Sequence, residues 1–296
     1  MCRQCTGAPR HRSAEVEQVF ERIVGALLRA LLVGLMVTLP ASLLPELRTD
    51  TAQIVVLFAM FGALLTLIEY SARYPGLVEF RYAPPYNRIR FLSLALTVLL
   101  LSLLMRGQWA PAPLTDFVAA LGGMIGGWLD FPFSPLRLLL LTLPASATLG
   151  EVALMRAAAG LSAAVSIFTL GLFALSMWRS RWPAQHAAFN VWINLPTFDP
   201  TAGGDVVDRL DRDARVNIAL GFLLPFLIPA VVKAGSSGFE PLSFTSPQTL
   251  IWTMAAWAFL PASLFMRGIA MGRIADMIRE KRRLNGITAA EGYLAA

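Results

Sequence analysis

Apolar residues occur in six long runs along this chain, and short polar or charged stretches separate the runs. They cover residues 23–45, 52–71, 90–106, 155–178, 216–233 and 249–267. Each run has about 17–24 residues, enough for a helix that rises about 1.5 Å per residue to cross a hydrocarbon core about 30 Å thick. The pattern therefore predicts an all-α protein, a polytopic helical membrane bundle with six transmembrane helices.

Two shorter apolar stretches lie in the segment 107–154. The first ends at Asp130, and the second begins with Ser134 followed by proline, the usual N-cap and N1 residues of a helix. Apolar runs of about 10–14 residues indicate re-entrant or interfacial segments more than full crossings. We predict a half-inserted helical hairpin on the outer side, tethered by the pairs Asp130–Arg137 and Glu151–Arg156. The alternative is that both stretches cross, which gives eight spans.

The distribution of basic residues predicts the orientation. With the N-terminus placed in the cytoplasm, nineteen of the 25 Lys and Arg residues lie on the cytoplasmic side and five outside. This asymmetry follows the positive-inside rule and puts both termini in the cytoplasm of a bacterial inner membrane. It divides the chain into a cytoplasmic N-terminal segment (1–22), a transmembrane bundle (23–270) with a cytoplasmic loop (179–215), and a basic cytoplasmic tail (271–296). The net charge of +6 is then a topology signal, and no nucleic-acid partner is expected.

A cluster of glycines predicts close helix packing. Gly122, Gly123, Gly126 and Gly127 form two overlaid G-x-x-x-G spacings, and the run AAAGLSAA at 157–164 offers a second small-residue face. Small residues four apart let helix backbones approach closely in lipid. We expect these two faces to pack together or to form an oligomer contact, although small residues are also common in membrane helices without such a role.

Two prolines, Pro225 and Pro229, stand four residues apart in the fifth apolar run. Each proline removes an intrahelical hydrogen bond, so a neighbouring group must satisfy the carbonyl that is freed. Broken helices of this kind can mark the substrate site of a transporter, or they can be static kinks. The chain shows no internal repeat that would support a transporter with inverted symmetry.

Two ionisable residues fall within or at the end of predicted spans. Arg29 lies in the first span and Glu69 at the end of the second, at similar depth. Charged groups in membrane helices need partners, so we predict an Arg29–Glu69 ion pair joining the first two helices. The alternative is that each side chain reaches the headgroups separately.

The segment 199–215 carries five aspartates and three arginines. Aspartates at 205, 208 and 211 are each followed four residues later by an arginine, the spacing of intrahelical ion pairs. We interpret this segment as a charge-laddered helix more than as a metal site. Its apolar side, formed by Val206, Val207 and Leu210, is predicted to dock on the bundle or on a partner.

Aromatic and basic residues around this loop indicate an interface with lipid. Trp178, Trp182 and Trp192 are typical of the headgroup region and predict an interfacial strap before the laddered helix. The tail from residue 271 is predicted to extend the last span as a basic helix that attracts anionic headgroups.

Residues that usually carry catalysis or metal binding are scarce. The only histidines, His11 and His186, lie outside the predicted spans, and Cys2 and Cys5 form a single C-x-x-C without a second pair. We therefore expect no cofactor and no enzyme activity. The leading hypothesis is a scaffold, assembly factor or accessory subunit of a larger membrane complex, with other membrane subunits or a second copy of the chain as partners. The alternative is a permease for a small solute.

Overall fold

The computed structural model contains helices and no strands among the residues it describes. Described are residues 8–45, 49–72, 74, 76–81, 84–179, 194–196, 198, 199, 201, 203–235 and 246–294. Within these ranges lie α1 (Ala8–Leu43), α2 (Thr49–Ser71), α3 (Pro84–Arg106), α4 (Pro113–Leu129), α5 (Pro135–Leu140), α6 (Leu149–Arg179), α7 (Val206–Gly235) and α8 (Pro247–Leu294). The predicted all-α class is confirmed.

Six of these helices, namely α1, α2, α3, α6, α7 and α8, are long and apolar enough to cross a membrane. They contain the six apolar runs of the sequence, which confirms the multi-pass helical bundle. Three of them extend well beyond their apolar runs. Helix α1 begins at Ala8, α7 begins at Val206, and α8 continues without interruption to Leu294, through the predicted start of the basic tail.

The remaining two helices form the short hairpin between α3 and α6. Helix α5 has only 6 residues, so it spans about 9 Å and cannot cross a hydrocarbon core about 30 Å thick. The alternative of eight crossings is therefore wrong. Ser134 caps α5 as predicted, because its side chain accepts a hydrogen bond from the backbone N–H of Arg137 at 3.0 Å.

One buried carboxylate ties this hairpin to the bundle. Asp130, whose side chain is 8% exposed, lies 2.9 Å from Nε of Arg137 and accepts a hydrogen bond from Nε of Arg156 at 3.0 Å. The Asp130–Arg137 pair was predicted, but the Glu151–Arg156 pair was wrong. Glu151 instead caps the start of α6, where it accepts hydrogen bonds from the backbone N–H and the hydroxyl of Thr148 at 2.7 and 2.9 Å. Asp130 thus joins α4, α5 and α6.

Helix α8 packs on several others. Helix α7 packs antiparallel along α8, α3 and α6 also pack on α8, and α1 packs on α3. Among the helices described, α2 packs only on α1. We call the end of the bundle that holds α4 and α5 the hairpin end. The opposite end, which holds residues 76–81 and the described residues of 194–205, is the loop end.

Candidate functional site

The buried apolar side chains form two clusters. One lies mainly among α3, α4, α5, α6 and α8, and the other lies at the loop end. It gathers buried side chains from the loop before α3, from the strap before α7, and from α3, α6, α7 and α8: Phe80, Tyr86, Phe173, Met177, Leu195, Phe198, Val207, Leu210, Ala214, Met266, Ala270, Met271, Ile274 and Ala275. Val207 is 3% exposed, Leu210 is 0% exposed, and Val206 packs partly buried beside them. The predicted docking face of α7 is therefore covered by the chain itself, and replacing these residues with serine is expected to destabilise this core.

The loop before α3 is locked onto the bundle by its backbone and by one ion pair. Phe80 has φ 52°, an unusual value for a residue with a side chain, and it is fully buried. Its N–H donates to the Asn194 carbonyl at 2.7 Å, and the Asn87 amide donates to the carbonyls of Glu79 and Phe80 at 2.8 and 3.2 Å. The Glu79 carboxylate accepts two hydrogen bonds from Arg267 at 2.7 and 2.9 Å. The left-handed backbone is thus held by the groups around it.

The charges of α7 bind across to α8 instead of forming the predicted ladder. Asp205 accepts hydrogen bonds from Arg282 at 2.8 and 3.0 Å, and Asp211 forms an ion pair with Arg279. Arg215 donates to the Asp211 backbone carbonyl at 3.3 Å and not to its carboxylate. The ladder was wrong because the basic tail of α8 runs antiparallel beside α7 and supplies arginines that sequence spacing along α7 cannot reveal. The hydrogen bond from Arg282 lowers the pKa of Asp205 below its ordinary value of 3.8, and a backbone N–H at the start of α7 adds to this effect.

The predicted Arg29–Glu69 ion pair is not formed. The Glu69 carboxylate accepts hydrogen bonds from three successive backbone N–H groups of the following loop, those of Gly76, Leu77 and Val78, at 3.0 to 3.3 Å. Arg29 donates to a carbonyl one turn earlier in its own helix, at 2.6 Å. The carboxylate therefore binds the nearest unpaired backbone donors, and it needs no cation from α1.

An arginine from the loop closes the end of α2. The guanidinium of Arg81 donates to the carbonyls of Glu69 and Ala72 at 3.0 and 2.7 Å and also to that of Tyr70. The last carbonyls of a helix have no intrahelical partner, so Arg81 supplies one. The guanidinium carbons of Arg29 and Arg81 both lie over the ring of Tyr70, at 4.7 and 5.7 Å from its centroid.

Two of the four predicted packing glycines lie against α6. A methyl group added to Gly126 would come within 2.4 Å of the Arg156 carbonyl, and one added to Gly122 within 2.9 Å of the Ala157 carbonyl. Gly160 on α6 is as close to the backbone of α4. Gly123 and Gly127 have open space around them within the described structure. The glycine face therefore serves packing inside the chain, on the run 157–164 that the sequence paired with it.

The carbonyl freed by Pro229 has a specific partner. An α-helical N–H at position 229 would bond to the carbonyl of Pro225, and proline has no N–H. In the structure the indole N–H of Trp257, on α8, donates to that carbonyl at 3.1 Å. Trp257 is 4% exposed. The sequence analysis did not identify this indole as the partner. The proline spacing indicates an orphan carbonyl, but no local pattern identifies a donor 32 residues away.

An apolar cavity of about 250 Å³ lies beside these prolines. Its lining comes from the α4–α5 turn, α5, α6, α7 and α8, and it includes Pro225, Trp257 and Pro261. Almost all of the lining atoms are apolar. The one hydroxyl there that lacks a hydrogen-bond partner among the described residues is that of Ser166, which is 7% exposed.

Several residues from the sequence predictions lie outside the described residues: Cys2, Cys5, Trp182, His186 and Trp192. Among the side chains that are described, no three His, Cys, Asp or Glu converge as metal ligands would. Comparison with protein-family models, with curated proteins and with solved structures gives no significant match.

Proposed function

We propose that this protein is a non-catalytic integral component of a larger membrane complex, a scaffold, assembly factor or accessory subunit. The observation that carries the proposal is the peripheral position of the α1–α2 hairpin. Among the described helices α2 packs only on α1, and 6% of its apolar span is buried, compared with 11% for α7, 50% for α6 and 56% for α8.

The seam between α1 and α2 is built from small residues, which leaves the large ones facing outward. Ala26, Ala30 and Ala59 are 0%, 7% and 5% exposed, whereas Leu57 and Met60 are both 66% exposed. In lipid, exposed apolar side chains are not unfavourable in themselves, and helices associate through close packing. Helix α2 is held to the bundle by this close seam with α1 but lies outside the main core. Its outward face is therefore suited to pack on helices of a partner.

The environment is part of the proposal. A bacterial inner membrane with both termini in the cytoplasm fits the strong excess of arginines at the loop end and in the tail. The basic face at that end would then contact anionic headgroups of the cytoplasmic leaflet.

The surroundings of Pro225 and Pro229 support a structural role over the permease alternative. The carbonyl freed by Pro229 accepts a hydrogen bond from Trp257, so the two prolines are part of a contact between α7 and α8. A transporter in which α7 moves relative to α8 would have to break and remake that bond.

Site-specific photocrosslinking in native membranes tests the proposal. A photoreactive amino acid is placed at Leu57, Met60 or Phe61 on the outer face of α2, and at Phe168 or Val231 as controls. The control positions are as exposed, at 67% and 68%, but lie on α6 and α7. We expect one discrete adduct with another membrane protein from the α2 positions and none from the controls. Equal labelling from both sets, or an adduct only with a second copy of this chain, would contradict a hetero-complex.

A further inference from the structure

The apolar cavity lies in a groove between two helices that do not pack on each other. Helices α6 and α7 both pack on α8, and no packing between α6 and α7 occurs among the described residues. Helix α5 packs on both of them and lines the cavity at the hairpin end. Ile167, which also lines the cavity, is 62% exposed. A ligand dissolved in the hydrocarbon core can therefore reach the cavity from the side.

One buried hydroxyl group at this cavity has no hydrogen-bond partner. Helix α6 has three buried residues with hydroxyl groups, Ser162, Ser166 and Thr169. In a helix such a hydroxyl can donate to the carbonyl four residues earlier, and Ser162 and Thr169 do so, to Ala158 and Val165 at 2.8 and 2.7 Å. The Ser166 hydroxyl has no partner among the described residues. Of these three residues, Ser166 alone lines the cavity.

The partner of this hydroxyl has to come from a ligand. A buried polar group without a hydrogen bond is unfavourable, and within the hydrocarbon core no water is at hand to supply one. The wall of the cavity supplies none either, because almost all of its atoms are apolar. The indole N–H of Trp257 is itself a donor, and it is bonded to the Pro225 carbonyl. A ligand that carries an acceptor oxygen would satisfy the Ser166 hydroxyl.

The walls indicate the shape of that ligand. Phe131, Trp257 and Phe265 contribute aromatic rings to the lining, and Pro225 and Pro261 add rigid apolar surface. Flat apolar rings pack well on aromatic side chains. The volume of about 250 Å³ exceeds that of an apolar cavity of about 150 Å³, which is enough to bind benzene. The cavity is therefore large enough for a compound with fused rings.

We propose that this cavity binds a membrane-soluble ring compound of the quinone class, with a carbonyl oxygen that accepts a hydrogen bond from Ser166. A quinone combines a flat apolar ring with oxygens that accept hydrogen bonds and donate none. The ring lies between α6, α7 and α8, and a hydrocarbon tail on it extends past Ile167 into the bilayer. The proposal is independent of the partner complex proposed above, because none of the described lining residues lies on α1 or α2.

Binding to the full chain in lipid nanodiscs tests the proposal with two radiolabelled probes, dimethylnaphthoquinone and dimethylnaphthalene, which differ only in the carbonyl groups. Partition into nanodiscs that hold no protein is subtracted. We expect one saturable site per chain for the quinone. Ser166→Ala should weaken quinone binding about fivefold, the effect of one hydrogen bond, and leave dimethylnaphthalene binding unchanged. Ser162→Ala is the matched control, because this buried serine on the same helix is already bonded and does not line the cavity.

Two further measurements separate the hydrogen bond from packing. The infrared carbonyl band of an isotope-labelled quinone should lie at lower frequency in the unsubstituted chain than in lipid, because the carbonyl accepts a hydrogen bond. Ser166→Ala should return the band to its position in lipid. Ala163→Phe places a large side chain in the lining, so it should abolish the binding of both probes.

Three results would each contradict the proposal. Equal effects of Ser166→Ala on the two probes would mean that the serine acts through packing alone. The same loss of quinone binding in Ser162→Ala would place the determinant elsewhere on α6. Quinone binding that never exceeds the lipid background would mean that lipid tails alone occupy the groove. The serine substitutions change little volume, so they give a result even if Ala163→Phe does not fold.

Discussion

Replacing Trp257 with phenylalanine should destabilise the bundle by leaving one backbone carbonyl without its hydrogen-bond donor. The indole N–H is the partner that the structure gives to the Pro225 carbonyl, which Pro229 leaves without an intrahelical bond. Phenylalanine keeps an aromatic ring at the site but donates no hydrogen bond. Because this bond lies within a membrane span, no water is at hand to replace the lost donor.

The expected magnitude follows from the environment of that bond. A buried polar group left without a partner costs about 1–3 kcal/mol. Side-chain hydrogen bonds measured inside membrane proteins contribute about 0.6 kcal/mol on average and up to about 1.7 kcal/mol. We therefore expect Trp257→Phe to lower the free energy of unfolding by about 1–3 kcal/mol, of which about 1 kcal/mol belongs to the hydrogen bond and the rest to lost packing.

A double-mutant cycle with Pro229→Ala isolates the hydrogen bond. Alanine restores an N–H at position 229, which can bond to the Pro225 carbonyl within the helix. Unfolding in mixed micelles by a denaturing detergent, followed by far-ultraviolet circular dichroism, gives the free energies. Trp257→Phe should cost about 1 kcal/mol less in the Pro229→Ala protein than in the original chain. Trp252→Phe, at a partly buried indole of the same helix, should cost the same in both. Equal costs of Trp257→Phe in the two backgrounds would refute the assignment.

Three further outcomes are expected. Gly126→Ala should destabilise the chain strongly in the same unfolding assay, because the added methyl group meets backbone at 2.4 Å, whereas Gly127→Ala should be neutral or stabilising by up to about 1 kcal/mol. Glu69→Gln should lower the free energy of unfolding by about 1–2 kcal/mol, because a charged acceptor of three backbone N–H groups becomes neutral. An arginine on α1 should not restore the lost stability. The link between Asp205 and Arg282 stabilises the fold at pH values above the ordinary pKa of the carboxyl, 3.8, and is lost as pH falls through the lowered folded pKa. Asp205→Asn should therefore remove part of the stability loss seen below about pH 4 in an acid titration.

Local patterns predicted the features that depend on neighbours in the chain. Ser134 followed by proline predicted the start of α5. The short apolar stretches within the segment 107–154 predicted a hairpin and favoured it over two further spans. The glycine spacing identified a packing face, although half of it, Gly123 and Gly127, lies away from α6. Which two glycines of an overlaid pair touch a neighbour depends on the angle at which the helices cross, and periodicity carries no information on that angle.

Partners between distant helices were beyond reach of the sequence. The prediction paired Arg29 with Glu69 from their similar depth, but three backbone N–H groups in the loop after α2 were closer to the carboxylate. Asp205 and Asp211 have arginines at helical spacing, yet both bind arginines of α8, because an antiparallel neighbour brings its side chains as near as the next turn does. An ion pair forms with whichever partner the packing brings within reach.

By itself, the sequence determined that this chain forms six apolar helices in a membrane, because every backbone polar group in lipid must be satisfied within a helix. It also determined which carbonyls lose their intrahelical hydrogen bond, because proline has no N–H in any surroundings. Only the tertiary structure decided what satisfies the freed carbonyl, which helix stays at the edge, and that α6 and α7 leave a groove between them. These features depend on side-chain size and direction where helices meet, and such contacts exist only once the bundle is assembled.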